Sequence, residues 1–525
     1  MEMTYYEAKS LPVTDGEDEP EIFAEVTRLC EQDNWRMASD RLEYLAARAG
    51  KPELEWRIEA FRCSIADGLG DKKQAAVHLR NMLKAGRGVI PFNQQRSFYS
   101  DFLFLQHYNE EKTDEQRRRE AFAYGDFEKG LRPYVHDRSK HEMHERLRLG
   151  FIASSFGDSV VTNFSIQLLC GLDKRRYQVF CYACRREEDA TSAFIRERVE
   201  GWWQPQAGEA YAPEHLARRI YEDGIDILFD LAGHTAGGLG LQAAAYRPAP
   251  VQLSGIGYMS TTGMGRMDYF LGDPYCDPPG SEEDFSERLL RLPHSHLCYT
   301  PTELAFQEKR ERLPHKGIVF GSFNQFGKIN GRVLACWAEI LRRVPGSRLL
   351  LKYMLKNAQE QRAIQRRLRE AGLPMERVIL ENSSKQYMGR YNAVDIALDT
   401  FPYTGGGTTC DALYMGVPVV SLYGRRHGTR FGYSLLMNTG LGELEAATEA
   451  EYVEKAVALA GDAGLLSALH REIPDMFRKS PVMDAAAYLR DMQAAFEHIW
   501  REWLAGHRGE LHGSYQDICL RHYEK

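Results

Sequence analysis

Residues 146 to 525 read as two α/β units with largely parallel sheets, preceded by an all-α segment. Three observations predict this class. After Arg146, short apolar or alternating runs recur with helical stretches between them, the texture of β-α-β units. The series starts twice, near 147 and again near 317. From about 21 to 131, apolar residues recur instead at spacings of three and four, the period of a helix face.

The elements follow in order. Residues 1–20 are polar and acidic, with Asp15-Gly-Glu-Asp-Glu-Pro20, and read as a flexible tail. In the helical segment, 21–145, Asn34, Ala38, Leu42 and Leu45 are echoed 37 residues later by Asp71, Ala75, Leu79 and Met82. Each set is a polar start with one apolar face, which suggests stacked helical hairpins. Residues 132–146 are polar and charged and read as a linker. The first α/β unit, 146–305, carries strands at Leu147–Ala153, Tyr177–Ala183, Ile225–Leu231 and Val251–Ser254. The second, 306–525, follows a linker near 301–316. Its strands are predicted at Ile318–Phe323, Ser347–Tyr353, Val378–Glu381, Asp395–Leu398 and Val417–Leu422. Its helices are predicted at Val333–Val344, Ala358–Ala371 and Thr409–Met415, with a long closing helix at Asp484–Leu504. Two such units face each other across a cleft, and ligands of parallel sheets sit beyond the carboxyl ends of the strands.

Composition narrows the function classes. Apolar residues make up 43% and charged residues 27%, enough for several cores. A net charge of -7 argues against general nucleic-acid binding, which favours a basic surface. No apolar run approaches the roughly 20 residues of a membrane helix. The acidic N-terminus does not look like a signal peptide, so a cytoplasmic protein without membrane insertion is expected. Cys181 and Cys184 form a lone Cys-x-x-Cys with no second ligand pair, and ordinary buried thiols are expected there.

Three loops carry candidate chemistry. In Thr400-Phe-Pro-Tyr-Thr-Gly-Gly-Gly-Thr-Thr-Cys-Asp411, a strand gives way to three glycines and then a helix. Gly406 and Gly407 let the backbone approach a phosphate, the helix start offers free N–H groups, and Thr408 and Thr409 add hydroxyls. Asp411, one turn in, can accept from a ribose. In Gly321-Ser-Phe-Asn-Gln-Phe-Gly-Lys328, Gln325 is a candidate base or sugar contact and Lys328 a point charge for a diphosphate. In Asp230-Leu-Ala-Gly-His-Thr-Ala236, His234 is a candidate general acid/base.

With these residues assembled, the chain from about 146 to 500 resembles glycosyltransferase family 41, the protein O-GlcNAc transferases and bacterial adhesin N-glycosyltransferases. The resemblance runs through Arg146–Gly157, Asp230–Gly237, Arg247–Tyr258, Asp268–Pro274, Phe323–Ile329, Ala397–Pro418 and Arg430–Leu436, with Phe102–Asn109 similar to the segment preceding the family's catalytic region. It implies a GT-B fold, two Rossmann-like domains with UDP on the second and the acceptor in the cleft. It also implies inverting transfer without a bound metal or cofactor, and the sequence shows no Asp-x-Asp pair after a strand. The donor implied is a UDP-sugar, UDP-GlcNAc or UDP-glucose, and the acceptor a protein side chain, Ser/Thr before Asn. Flagellin or a surface adhesin is the acceptor suggested by family habit. By position, Gln325, Lys328, Thr408 and Asp411 match the family's donor contacts.

The chain departs from the O-GlcNAc transferases in two loops. Ser159 stands where a histidine is usual, and Asn163 at another histidine position. Glycine replaces the histidine before the phosphate-loop threonines. Asp158 or His234 then substitutes as base, or no strong base is used. A transferase acting on a small molecule or glycan, a UDP-sugar isomerase, and a non-catalytic UDP-sugar-binding module are the alternative readings.

Overall fold

The computed structural model describes residues 19–506, apart from 33, 48–51, 302–307, 309, 356–357 and 385–386. The acidic tail expected over 1–20 lies outside the described residues up to position 18, and Glu19 already opens a helix. No helix of the described residues is long and apolar enough to cross a membrane.

Helices α1 (Glu19–Glu31), α2 (Trp35–Ala46), α3 (Pro52–Gly68) and α4 (Lys72–Ala85) pack in consecutive pairs. The internal echo has a physical basis. Ala38, Leu42 and Leu45 of α2 and Ala75, Leu79 and Met82 of α4 are all buried, each set following its polar N-cap, Asn34 or Asp71. Helices α5 (Phe92–Leu105) and α6 (Asp114–Phe122) complete the segment. Its apolar faces close no separate core: Phe98, Phe102 and Leu103 join Ile152, Leu228 and Leu241 of the first α/β unit.

The first unit is entered through a short helix, α7 (Arg138–Glu142), inside the stretch expected as linker. Its sheet contains β1 (Leu147–Ala153), β2 (Tyr177–Ala183), β3 (Gly201–Trp203), β4 (Ile227–Asp230), β5 (Val251–Ser254), β6 (Tyr269–Gly272) and β7 (Arg288–Arg291). They run parallel in the order β3-β2-β1-β4-β5-β6-β7. Helices α8 (Val160–Gly171), α9 (Ala190–Arg196), α10 (Pro213–Glu222) and α11 (Leu239–Ala244) connect the earlier strands.

The second sheet holds β8 (Val319–Ser322), β9 (Arg348–Tyr353), β10 (Val378–Asn382), β11 (Ile396–Leu398), β12 (Val419–Leu422) and β13 (Glu445–Ala446), parallel in the order β10-β9-β8-β11-β12-β13. Its helices are α12 (Gly331–Arg343), α13 (Ala358–Glu370), α14 (Gly407–Tyr414), α15 (Phe431–Thr439), α16 (Glu449–Gly461) and α17 (Ala463–Arg478). The closing helix, α18 (Ala485–Leu504), was expected with the second unit. It crosses back instead: Phe496 meets Phe229 of β4 at 6.5 Å between ring centroids, and Tyr488 donates to the carbonyl of His296. Cys181 and Cys184 are buried free thiols.

Candidate functional site

Each sheet reverses its order of strand addition once, between β1 and β4 in the first and between β8 and β11 in the second. At such a point the two loops leaving the carboxyl ends diverge and open a crevice. In the second sheet those loops are 323–328, after β8, and 399–406, after β11.

The shape of the β11 loop is set by Asp399, 2% exposed at the strand's end. Its carboxylate accepts the N–H groups of Thr400 and Gly405, both at 2.8 Å, the hydroxyl of Ser421 at 2.9 Å and the amide of Asn324 at 3.2 Å. Burial pushes its pKa up to about 6, and these hydrogen bonds with the nearby Lys328 pull against that rise. Gly405 is required here, because a Cβ would lie 2.5 Å from the Thr408 hydroxyl and 2.9 Å from Asp399 Oδ1. A Cβ on Gly407 would lie 2.9 Å from Val160 at the start of α8, so glycine lets the first unit close onto the loop. Gly406 caps α14, whose first N–H groups have no intrahelical carbonyl to bond.

The two threonine hydroxyls, expected as ligand donors, are spent within the site. Thr408 donates to Asn324 Oδ1 at 3.0 Å and Thr409 to the Gly405 carbonyl at 3.1 Å. The groups left facing the crevice are backbone N–H groups of the helix start.

Lys328 lies beside this start. Its Nζ donates to the Thr404 carbonyl at 3.1 Å and sits 3.8 Å from the centre of the Tyr403 ring. Burial pushes its pKa down to about 8, with Asp399 opposing. Gln325 Oε1 accepts the Tyr108 hydroxyl at 2.7 Å, and the Tyr108 and Tyr403 rings meet at 5.2 Å. The end of the helical segment is thus built into the wall of this crevice. Tyr108, Asn324, Asp399 and Tyr403 were not singled out from sequence, although each falls in a quoted motif.

Asp411 is buried. Its Oδ1 accepts the Tyr299 hydroxyl at 2.5 Å and its Oδ2 the Tyr387 hydroxyl at 2.8 Å, and burial pushes its pKa up to about 6. A ribose at Asp411 would have only the lone pairs these phenols leave. Replacement Asp411→Asn separates the two roles. A ribose contact predicts UDP affinity about tenfold weaker by calorimetry, the scale of one charge-assisted hydrogen bond. Thermal stability should be maintained, since a buried charge is removed. Unchanged UDP affinity would leave Asp411 a framework residue for the two tyrosines.

Across the cleft, Asp158 is exposed, with its backbone N–H held by Asp189 Oδ2 at 2.7 Å. Burial and Asp411 raise the pKa of Tyr387, and the charge of Asp158 adds a smaller push in the same direction. Ser159 is the N-cap of α8, accepting the Thr162 N–H at 3.2 Å. His234 corrects the sequence reading. It is fully buried, with Nδ1 2.9 Å from the Ser100 hydroxyl and Nε2 2.9 Å from the Thr262 carbonyl. The carbonyl fixes the Nε2–H tautomer, Nδ1 accepts from Ser100, and burial lowers the pKa to about 4. Both nitrogens are occupied, so His234 ties α5 to the first unit and has no lone pair for acid–base work.

Two facing doubly wound sheets, with a glycine loop and helix start at the switch of the second, define the GT-B class. A model of glycosyltransferase family 41 matches residues 129–300 and 299–492, and the chain belongs to that family. It is 38% identical over 371 residues to the probable UDP-N-acetylglucosamine–peptide N-acetylglucosaminyltransferase SPINDLY of Solanum lycopersicum, covering 69% of this chain and 39% of that one. It is 25% identical over 496 residues to the UDP-N-acetylglucosamine–peptide N-acetylglucosaminyltransferase of Caenorhabditis elegans, covering 72% and 43%. Among solved structures, a mutant O-GlcNAc transferase of Thermobaculum terrenum matches with a TM-score of 0.78 at 29% identity, covering 91% of this chain and 89% of that one. The chain spans about two-fifths of the length of the curated relatives it matches.

Proposed function

We propose that this chain is an inverting, metal-independent transferase that moves GlcNAc or a hexose from a UDP-sugar to a protein side chain, Ser/Thr before Asn. The observation that carries this reading is Lys328 held at the Thr404 carbonyl beside the start of α14. A cation and a helix N-terminus at one switch point form a diphosphate cradle. The names of the relatives above support a UDP-sugar and a peptide acceptor.

In this mechanism the acceptor oxygen or nitrogen attacks the anomeric carbon from the face opposite UDP. The bond from that carbon to the phosphate oxygen breaks, and its electron pair leaves on the β-phosphate. Lys328 and the N–H groups of Gly407, Thr408 and Thr409 hold that charge. Gln325 and Asp411 position the base and ribose. Asp158 remains as acceptor of the proton, and positioning supplies much of the rate. A cytoplasmic location, with flagellin or a surface adhesin modified before export, completes the proposal. The nine described cysteines, all free thiols, fit a reducing compartment.

Incubation with a panel of UDP-, GDP- and ADP-sugars tests the donor by nucleotide release. UDP release from UDP-GlcNAc or UDP-glucose is expected, and turnover confined to another nucleotide would overturn the donor assignment. Binding should also depend on pH. The charged amine of Lys328 binds diphosphate, so its contribution to UDP affinity is complete below about 8, and from about 7 upward it governs the pH dependence. Affinity declines as pH rises through about 8, approaching tenfold per pH unit. Calorimetry across that range checks it, and Lys328→Ala should flatten the profile.

A further inference from the structure

At the amino ends of β1 and β4, the end of the first sheet opposite the carboxyl-end loops, two histidines and a carboxylate converge. His141 lies in α7 and His144 just beyond it, with the His144 N–H donating to the His141 carbonyl at 3.1 Å. Three residues apart on one tight turn, the two rings share a side. Both face Asp226, fully buried just ahead of β4. His141 Nδ1 is 2.6 Å from Asp226 Oδ1, and His144 Nδ1 is 2.9 Å from Oδ1 and 3.1 Å from Oδ2. The remaining partner of the carboxylate is the Arg148 N–H at 2.8 Å. A cavity of about 140 Å³ adjoins them, lined also by Tyr177, Glu497 and Trp500. The nearby Arg176 is paired with Glu497 and adds no uncompensated positive charge.

We propose that His141, His144 and Asp226 form a structural site for a divalent transition-metal ion of the zinc class. Two imidazoles and a carboxylate are the donor set that zinc, cobalt and nickel take from proteins. Metal–ligand bonds of about 2.0–2.2 Å place tetrahedral ligand atoms about 3.3 Å apart. The nitrogen–oxygen separations of 2.6 and 2.9 Å need to open by about 0.4 to 0.7 Å, a shift that rotation of the two rings supplies. The adjoining cavity has room for a water as fourth ligand, and binding through Nδ1 would shift each neutral imidazole's proton from Nδ1 to Nε2. Packing supports the geometry, since the His141 ring meets Trp503 edge-on at 5.5 Å and Trp500 at 6.0 Å. The ion would fasten residues 138–144 to the sheet beneath α18. It lies apart from the donor loops and takes no part in sugar transfer.

The test uses the full chain, stripped with chelator and titrated with Zn²⁺ by calorimetry and Co²⁺ by visible absorption. One equivalent of each is expected, with a raised melting temperature that the chelator reverses. The double variant His141→Gln/His144→Gln should lose that binding while keeping UDP affinity. Absence of saturable binding, or binding that survives the double substitution, would overturn the proposal. Cys276→Ser controls for the buried Asp273–Cys276–His296 group, the other such cluster among the described residues, and should leave the stoichiometry unchanged. Should the double variant fail to fold, the wild-type Co²⁺ spectrum decides. Bands of nitrogen and oxygen ligands support the site, and a thiolate charge-transfer band contradicts it.

Discussion

Replacing Lys328 with alanine is expected to lower sugar-transfer turnover by about 10²-fold or more, the scale of losing one electrostatic donor to a transition state. The argument rests on where charge goes. In the proposed reaction a negative charge appears on the leaving diphosphate as the glycosidic bond lengthens. Lys328 is the cation at the crevice, half-buried between the Thr404 carbonyl and the Tyr403 ring. A half-buried charge is screened less than an exposed one, so its removal is felt more strongly. The alanine also leaves the Thr404 carbonyl without its Lys328 partner. The loss should fall chiefly on kcat, because the charge is greatest in the transition state. UDP release by Lys328→Ala at near-normal rates would contradict its assigned role.

The second large effect is expected at Asp399. Asp399→Ala removes the acceptor of the Thr400 and Gly405 N–H groups, the Ser421 hydroxyl and the Asn324 amide. Donors left unpaired in a buried site cost roughly 1–3 kcal/mol each, though water entering the space offsets part of it. A destabilisation of about 3–5 kcal/mol is therefore expected by denaturant titration, comparable with breaking a buried ionic network. UDP affinity should fall with it, because the Gly405 turn and the Asn324–Thr408 bond both depend on that carboxylate. Asp399→Asn retains an acceptor oxygen for the backbone N–H groups, and Ser421 can accept from its amide. It should keep most of the stability. Equal losses in the two variants would contradict the hydrogen-bond account.

These two residues show what a sequence can disclose here. The order of strands and helices was legible because strands buried on both faces read as apolar runs, as at Ile227–Asp230, and half-buried ones as alternation, as at Tyr177–Phe180. The short strands Gly201–Trp203, Tyr269–Gly272, Arg288–Arg291 and Glu445–Ala446 carry too little pattern to be seen. Lys328 and the glycines were legible because a strand, a loop and a helix start follow one another in sequence. Asp399 stood in the same stretch, but its role depends on Asn324 and Ser421, which only the folded sheet brings near. His234 misled for the same reason. It follows a strand end like a site residue, yet Ser100, 134 positions earlier, supplies the partner that buries it. The loop threonines stand at the helix start, but the hydroxyl of Thr408 is turned to Asn324 of the neighbouring loop and that of Thr409 back to the Gly405 carbonyl, which the sequence pattern does not disclose.

The central claim is transfer of a sugar to protein. Its most direct test is intact-protein mass spectrometry of candidate acceptors and lysate protein incubated with the chain and a UDP-sugar. The account predicts a mass gain of one hexose or one N-acetylhexosamine, placed on Ser, Thr or Asn by fragmentation and accumulating about 10²-fold more slowly with Lys328→Ala. Turnover of the UDP-sugar with the label found only on a small molecule or glycan would contradict it.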